Sequence, residues 1–466
     1  MAATAERERL EDTVLQPIRR PSRAHDAILV LLGLVALWGL FAWSVQLRRG
    51  LIVTGMRDVV IWGLYITNFV FFIGISHAGT LISAILRVTQ AGWRTSVTRM
   101  AEVITAVALM VGAIQIVFDL GRPDRLLNVF IYGRFQSPLI WDVFAVTTYL
   151  TGSMIYLYLP LIPDLALMRD RFAGIAPRWQ QAMYRILAAG WTGTESQQRF
   201  LHRAINIMMI LIIPIAVSVH TVVSWVFAMT LRPGWNSTAF GPYFVVGAIF
   251  SGTAAIITAM VIFRRLFHLE EWVTVKQFRY LGYLMLGLTL IYAYFTLGEY
   301  LTVWYKLPGE EKHLLELLFI GDRAPLFWFF VLGGLVAPAL LVALPWTRTI
   351  SGIVAASILV NIAMWLKRFI IVVPTLQVPL MPFDFGRYSP TWVEWSVTVG
   401  SFGWFLFLYA LFARFFPLIS IWEVVEEQEK RAPVLVPALA SRGAEGDGGR
   451  GSPVAAGVLR VSGGEE

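Results

Sequence analysis

Long apolar segments recur along the chain and are separated by shorter polar connections. Ten of them are about 20 residues long or longer, at residues 27–47, 59–86, 100–118, 139–162, 205–230, 242–263, 280–304, 325–345, 350–373 and 393–416. A helix of about 20 apolar residues crosses the hydrocarbon core of a bilayer. The pattern therefore predicts an all-α, polytopic membrane protein with ten transmembrane helices.

The arginine and lysine residues of the connections predict how the spans are oriented. The N-terminal tail and the loops on its side of the membrane carry 19 of them, whereas the opposite loops carry 11. Basic residues concentrate in cytoplasmic loops, and an even number of spans returns the chain to the side on which it starts. Both termini are therefore predicted to be cytoplasmic.

A weak internal repeat predicts how the spans are grouped. At an offset of 178 residues, Gly74 corresponds to Gly252 and Arg87 to Arg265. Such a repeat predicts two four-helix bundles, formed by spans two to five and six to nine, with the first and last spans peripheral. The predicted domains are a cytoplasmic tail at 1–26, a peripheral span at 27–47, bundles at 59–230 and 242–373, a peripheral span at 393–416 and a disordered tail at 430–466.

Composition narrows the possible chemistry. Only 15% of the residues are charged, against about 25% in soluble domains. The net charge of +8 is explained by the loop arginines, so it does not indicate nucleic-acid binding. The chain has no cysteine, which excludes a cysteine-ligated iron–sulfur cluster, zinc site or other cysteine-bound cofactor. Redox chemistry would require quinone, a histidine-ligated haem or the centres of a partner protein.

One ionisable residue, His77, lies within the 28-residue second span. A titratable side chain deep in hydrocarbon costs roughly 2–3 kcal/mol unless it finds a partner or a polar cavity. Its flanks are mostly small residues such as Gly74, which let neighbouring helices approach closely. We therefore expect groups on adjacent helices to face His77, and Gly74 and His77 to line a binding pocket.

The third span carries a line of polar residues on one helix face. Glu102, Thr105, Gly112, Gln115 and Asp119 follow each other at spacings of 3, 7, 3 and 4 residues, which keeps them near one side of the helix. One interpretation is a proton route or one wall of a polar cavity. The alternative is a helix with interfacial carboxylates at its ends and Gln115 satisfied by packing.

Asp142 opens the fourth span at about the outer depth at which Asp119 closes the third. His77 is predicted to lie deeper than both. Two carboxylates and an imidazole suit a site that takes two protons from a substrate as it is oxidised. In the alternative interpretation the aspartates pair with nearby arginines and fix the outer loop.

His220 is the other histidine inside a span, and Pro214 precedes it. Two intramembrane histidines at equal depth could ligate a b-type haem. Counting residues from the inner ends places His220 nearer the outer side than His77. The sequence therefore favours a quinone or polar-network contact for His220 over haem ligation, and it predicts no metal site.

Polar residues also recur in the second half. The seventh span carries Thr289, Tyr292, Thr296 and Glu299 at spacings of 3, 4 and 3, and the ninth carries Lys367 and Arg368. Carboxylates and cations in a bundle core offset each other's burial. These residues form either a second proton route or a structural ion pair.

Four segments resemble the NrfD/PsrC family of quinone-interacting membrane subunits. They are SHAGTLISAIL at 76–86, LGRP at 120–123, SPLIWD at 137–142 and LPLIPDLALMRDR at 159–171. The chain is most similar to the ActC-type quinol-binding subunit of bacterial alternative complex III, and the resemblance extends over essentially its whole length.

The resemblance implies a subunit of a respiratory or photosynthetic quinol:electron-acceptor oxidoreductase in the bacterial inner membrane. Menaquinol or ubiquinol would bind at the outer end of the first bundle. Electrons would leave through an extracytoplasmic iron–sulfur protein towards multihaem cytochrome c subunits, beside a second NrfD-like membrane subunit. By position, His77, Asp119 and Asp142 are the candidate catalytic residues.

Two other functional classes stay open. A secondary transporter would also suit two repeated bundles with polar stripes, and a non-catalytic membrane anchor of a redox complex would need no substrate. No phosphate-binding Walker loop, HExxH motif or nucleophile elbow is present, which argues against an ATP-driven pump and an intramembrane metalloprotease.

Overall fold

The computed structural model describes residues 2–20, 22–89, 91–307, 309–381 and 384–431, and within them it contains helices and no β-strand. The α-helices are α1 (Ala2–Arg19), α2 (Arg23–Arg49), α3 (Leu64–Val88), α4 (Thr98–Asp119), α5 (Asn128–Ile131), α6 (Pro138–Arg171), α7 (Arg178–Leu187), α8 (Glu195–Ala228), α9 (Phe240–Leu266), α10 (Val275–Lys306), α11 (Gly309–Phe319), α12 (Ala324–Val331), α13 (Ala337–Ala343), α14 (Ile350–Gln377), α15 (Trp392–Phe415) and α16 (Ile421–Arg431). Of the tail predicted to be disordered, residues 432–466 lie outside the described residues.

Ten helical segments in the described part of the chain are long and apolar enough to cross a membrane. They are α2, α3, α4, α6, α8, α9, α10, α14, α15 and the segment Ala324–Ala343, in which a π-helical stretch, Leu332–Val336, joins α12 to α13. The predicted all-α fold with ten transmembrane helices is confirmed. The division into two bundles stays a prediction.

Two helices extend well beyond their predicted apolar spans. α6 continues past residue 162 to Arg171, and α8 begins at Glu195 rather than near 205. The α8 start is capped by Thr194, whose hydroxyl accepts a hydrogen bond from the backbone N–H of Gln197. Ten extra residues lengthen a helix by about 15 Å, so the inner ends of the helices do not lie at one level.

α3 is the central helix. It is buried along most of its length and packs against α4, α8, α9 and α14. The peripheral helix α2 instead packs along α15, where Gly39 meets Gly400 so closely that a Cβ on Gly39 would lie 2.7 Å from the Cα of Gly400. Small residues permit such close approach between membrane helices.

Both ends of the described chain meet at one end of the bundle, here named the terminal end; the other is named the distal end. The apolar residues of α1 are buried and the helix packs on α15 and α16. Asp164 of α6 caps α16 by accepting hydrogen bonds from the backbone N–H groups of Ile421 and Trp422, at 3.2 Å each. This end is therefore closed by the first and the last helix.

Candidate functional site

α3 and α6 run side by side with a constant offset of 73 residues. The Tyr149 hydroxyl donates to the carbonyl of Ser76 at 3.1 Å, and two further polar contacts, Thr80 with Ser153 and Ser83 with Tyr156, repeat the offset. Asp142 is therefore level with position 69 of α3. At 1.5 Å per residue it lies about 12 Å from His77, towards the distal end.

Asp119 lies still closer to the distal end. The ring of its neighbour Phe118 is 6.4 Å from that of Tyr65, which places Asp119 roughly 18 Å from His77 along α3. The structure thus puts His77 deeper than both aspartates.

The two aspartates also lie on different helix faces. Asp142 shares a face of α6 with Tyr149, seven residues on, which contacts α3. Asp119 shares a face of α4 with Gln115, whose amide donates to Ser401 of α15 at 2.8 Å. Within the described residues, the Oδ1 atom of each aspartate is buried and has no hydrogen-bond partner. The three candidate catalytic residues, His77, Asp119 and Asp142, therefore lie on two sides of the first half and do not form one cluster.

His77 and His220 are in direct contact. Nε2 of His77 lies 3.0 Å from Nδ1 of His220 and forms a short hydrogen bond with the carbonyl of Ala216. Nδ1 of His77 lies 3.2 Å from the carbonyl of Ile73, and the Tyr149 ring packs on the imidazole. A protonated imidazole donates from both nitrogens. A carbonyl oxygen faces each nitrogen of His77, so a hydrogen on either nitrogen has an acceptor.

The expectation that His220 lies nearer the outer side than His77 is wrong, because the two ring centroids are 3.7 Å apart. Counting residues from the span ends failed because the ends of α3 and α8 on this side are staggered: His77 is 11 residues from the end of α3, whereas His220 is 25 residues from the start of α8. The contact also does not fit a haem iron held between the two rings, since Nε2 of His77 is turned to the Ala216 carbonyl and to the neighbouring imidazole.

A line of polar contacts runs from Tyr149 to the terminal end. Below the Thr80–Ser153 and Ser83–Tyr156 contacts, Ser83 donates to Glu102 at 2.7 Å, and Arg87 lies 3.4 Å from Glu102 and 2.8 Å from Glu423. Glu102, predicted as part of a proton route, is therefore on this line. We name the line from Tyr149 to Glu423 the polar line.

Two other predicted route residues differ in position. Thr105 donates to the Ser76 carbonyl at 2.6 Å and so adjoins the polar line. Gln115 is directed to α15 and lies outside it.

Glu423 is a member of the polar line that sequence reasoning missed. It lies in α16, beyond the last transmembrane helix, and is buried. Burial alone would raise the pKa of its carboxyl, but Arg87, Arg94 and Arg99 outweigh burial and lower that pKa. The carboxyl is therefore held in its charged form.

In the second half, Lys367 is surrounded by aromatic residues. Its ammonium donates to the Tyr300 hydroxyl at 2.9 Å and lies about 5 Å from the ring centres of Tyr243, Tyr300 and Phe330. Glu299 accepts a hydrogen bond from Ser237 at 2.8 Å. Both side chains line a cavity of about 30 Å³. Among the described residues no ion pair within 4.0 Å joins them.

Arg368 lies beside Gly74 rather than among the groups around Lys367. It is 1% exposed, and a Cβ on Gly74 would lie 3.7 Å from one of its terminal nitrogens. Those nitrogens and the Tyr292 hydroxyl are buried, and the hydroxyl interacts with the guanidinium. Thr296 bonds to Tyr243 at 2.8 Å. Gly74 therefore faces a buried guanidinium across the centre of the molecule.

Comparison with known proteins gives the chain its family. The family model described as "Polysulphide reductase, NrfD" matches residues 52–379. The match begins before α3 and ends just past the last residue of α14. This confirms the resemblance carried by the four sequence segments. The closer similarity to the ActC-type subunit stays a prediction.

Three relatives are similar over most of their length. A putative dimethyl sulfoxide reductase membrane subunit of Halobacterium salinarum is 28% identical over 79% of this chain and 86% of its own. A selenate reductase subunit of Mesobacillus selenatarsenatis is 25% identical over 84% and 93%. The Hdr-like menaquinol oxidoreductase integral membrane subunit of Archaeoglobus fulgidus is 24% identical over 88% and 98%. With ten membrane helices and a family match from residue 52 to residue 379, the chain belongs to the NrfD polysulphide reductase family.

Proposed function

We propose that this chain is the quinol-binding membrane subunit of an oxidoreductase complex, and that the quinol headgroup binds in the first half between Asp142 and His77. One relative is described as a menaquinol oxidoreductase subunit and two as reductase subunits. Oxidation of a quinol releases two protons and two electrons. The chain lacks cysteine, so the electrons pass to the centres of a partner.

The observation that carries the proposal is the buried His77–His220 pair beneath Asp142. His220 Nε2 and Asp142 Oδ1 are buried and have no partner within the described residues. Buried polar atoms normally find partners. The separation of about 12 Å between Asp142 and His77 along the helices is on the order of an aromatic ring with a hydrogen bond at each end.

In this arrangement each residue has a distinct role. Asp142 accepts a hydroxyl proton from the distal side, and His77 accepts one from below, where a carbonyl oxygen faces each of its nitrogens. Thr105, Glu102 and the polar line offer a route onward to the terminal end. Asp119 and Gln115, on the α15 side, remain candidates for a second carboxylate site.

The proposal also includes the orientation of the chain in the membrane and the partners of its two ends. The terminal end is the cytoplasmic face of a bacterial inner membrane, and the distal end receives an iron–sulfur protein. Residues 127–135 fit such a docking surface, because Ile131, Tyr132 and Phe135 are largely exposed there. Multihaem cytochrome c subunits and a second NrfD-like subunit would lie beyond that protein.

Quinol turnover of the assembled complex tests the proposal. We expect His77→Ala and Asp142→Asn each to lower quinol:acceptor turnover by about 100-fold or more, the range of general acid–base groups, while subunit assembly is unchanged. His202→Gln is the matched control, because His202 is exposed and pairs with Glu426 at the terminal end. Normal turnover in both site variants would refute the assignment, and a complex that also holds no quinone would favour the anchor interpretation.

A further inference from the structure

An apolar groove opens between the terminal halves of α4, α6 and α15. Its volume is about 340 Å³ and its lining exposes only apolar surface. Residues that line it include Ala106 of α4, Leu157 of α6 and Leu408 of α15. Tyr158, which also lines the groove, donates to the carbonyl of Leu187 at 2.8 Å. The groove therefore lies towards the terminal end of the bundle and is bordered by α7.

A second cavity of about 290 Å³ adjoins the groove at Phe415, which lines both. Its other lining residues come from α1, the connection between α6 and α7, α7 itself and the end of α15, and they include Arg19, Trp179, Gln180 and Arg414. The Trp179 ring stands edge-on to Phe415 at 5.5 Å. Tryptophan at this depth is typical of a membrane–water interface. The apolar groove and this basic, aromatic surface cavity therefore adjoin on either side of Phe415.

The two arginines of this cavity have only weak internal partners. Arg19 has Asp12 at 3.4 Å, and Arg414 has Asp26 at 3.5 Å and the Ile18 carbonyl at 3.4 Å. Both aspartates are exposed, so the ion pairs are screened by water. Arg20 and Arg178 are exposed and adjoin the lining residues Arg19 and Trp179 in sequence, so they add two basic residues next to the cavity.

We propose that the two cavities together bind one anionic phospholipid, with an acyl chain in the groove and the phosphate between Arg19 and Arg414. Each volume lies near the lower end of the range for ligand pockets, about 300–1,000 Å³. Basic pockets at the cytoplasmic ends of transmembrane helices recognise anionic headgroups. The groove supplies the apolar part and the arginines supply charge complementarity. This site is independent of the quinol site, from which α4 and α6 separate it.

The test measures lipid retained by the full-length chain and its thermal stabilisation by added lipid. Vesicles or nanodiscs of phosphatidylglycerol and of phosphatidylcholine are the probes. We expect about one phosphatidylglycerol per chain to survive purification, and unfolding at a higher temperature in phosphatidylglycerol than in phosphatidylcholine. The double variant Arg19→Gln/Arg414→Gln should lose both effects, whereas Arg48→Gln/Arg49→Gln, at the exposed distal end of α2, should keep them.

A second variant keeps the test informative if the arginine variant folds poorly. Ala106→Phe fills the groove and leaves the arginines in place, and Ile114→Phe, on the exposed face of the same helix, is its control. Loss of retained lipid in Ala106→Phe alone supports the site. Equal retention in all variants, equal stabilisation by both lipids, or recovery of quinone in place of phospholipid would overturn it.

Discussion

Arg99 and Arg368 are equally buried, at 1% exposure each, but their hydrogen-bond and ion-pair partners differ. Arg99, in the first half, forms a short ion pair with Asp164 and donates to the Pro160 carbonyl at 2.7 Å and to Ser420 at 3.0 Å. Arg368, in the second half, lies over the Phe244 ring and beside the Tyr292 hydroxyl, and among the described residues no carboxylate forms an ion pair with it.

The other buried polar and charged side chains of the two halves differ in the same way. In the first half, hydroxyls, carboxylates and Arg87 form the polar line, which reaches the terminal end. The second half surrounds Lys367 with aromatic rings and leaves Glu299 bonded to a serine. A charge can thus be kept in a membrane bundle by a polar network or by aromatic faces. Of the two arrangements, the first places polar side chains on successive helix turns towards the terminal end.

The largest expected effect is on stability, when arginine is replaced by methionine at Arg99 in the first half and at Arg368 in the second. Arg99→Met leaves Asp164 buried without its cation, so we expect a loss of about 3–5 kcal/mol in the free energy of unfolding. Arg368→Met removes a cation that has no carboxylate partner among the described residues, so we expect no loss or a small gain. Unfolding of both variants in the same detergent measures the difference. An equally large loss for Arg368→Met would show that this guanidinium has a bound acceptor and would break the comparison.

A smaller effect is expected on proton transfer. Glu102→Gln interrupts the polar line, and we expect proton uptake or release coupled to turnover to slow by about tenfold or more. Glu299→Gln should change it by less than about twofold, because its hydrogen bond goes to Ser237, away from that line. Reconstituted complex with a pH indicator inside the vesicles measures both. A larger effect for Glu299→Gln would place the conducting route in the second half.

The smallest effect concerns pH and the docking of α16. The folded-state pKa of Glu423 is lowered by Arg87, Arg94 and Arg99, so its stabilisation is fully present above the unfolded-state pKa of about 4.3. It is lost as pH falls through the lower folded-state pKa. Limited proteolysis of the C-terminal segment should therefore accelerate below about pH 4, and Glu423→Gln should remove that pH dependence. An unchanged profile in the variant would assign the effect to another group.

Hydropathy predicts the ten spans because an apolar run of this length has few alternatives to a membrane helix. It does not predict α1, which lies within the predicted tail 1–26. There the buried Leu10, Val14, Leu15 and Ile18 follow a helical period, and that pattern could have revealed an amphipathic helix.

The candidate site is harder to predict because it depends on the relative depth in the membrane of residues on different helices. Predicting the His77–His220 contact requires knowing how α3 and α8 are staggered along their axes, and the apolar pattern does not contain that information. Tyr149 could have been found, since it lies seven residues after Asp142 and therefore on the same helix face. Glu423 could not, because it comes from a segment outside every span.

The position of Glu423 in α16, after the last membrane helix, has a consequence for biosynthesis. The carboxylate that pairs with both Arg87 and Arg94 is supplied by Glu423, which the ribosome adds after all ten membrane helices. Until then the first half of the molecule carries these arginines at its terminal end without that carboxylate. A chain that stops before residue 421 would insert its helices but leave the terminal end of its first half unfinished, so any fusion should follow Arg431 rather than replace α16.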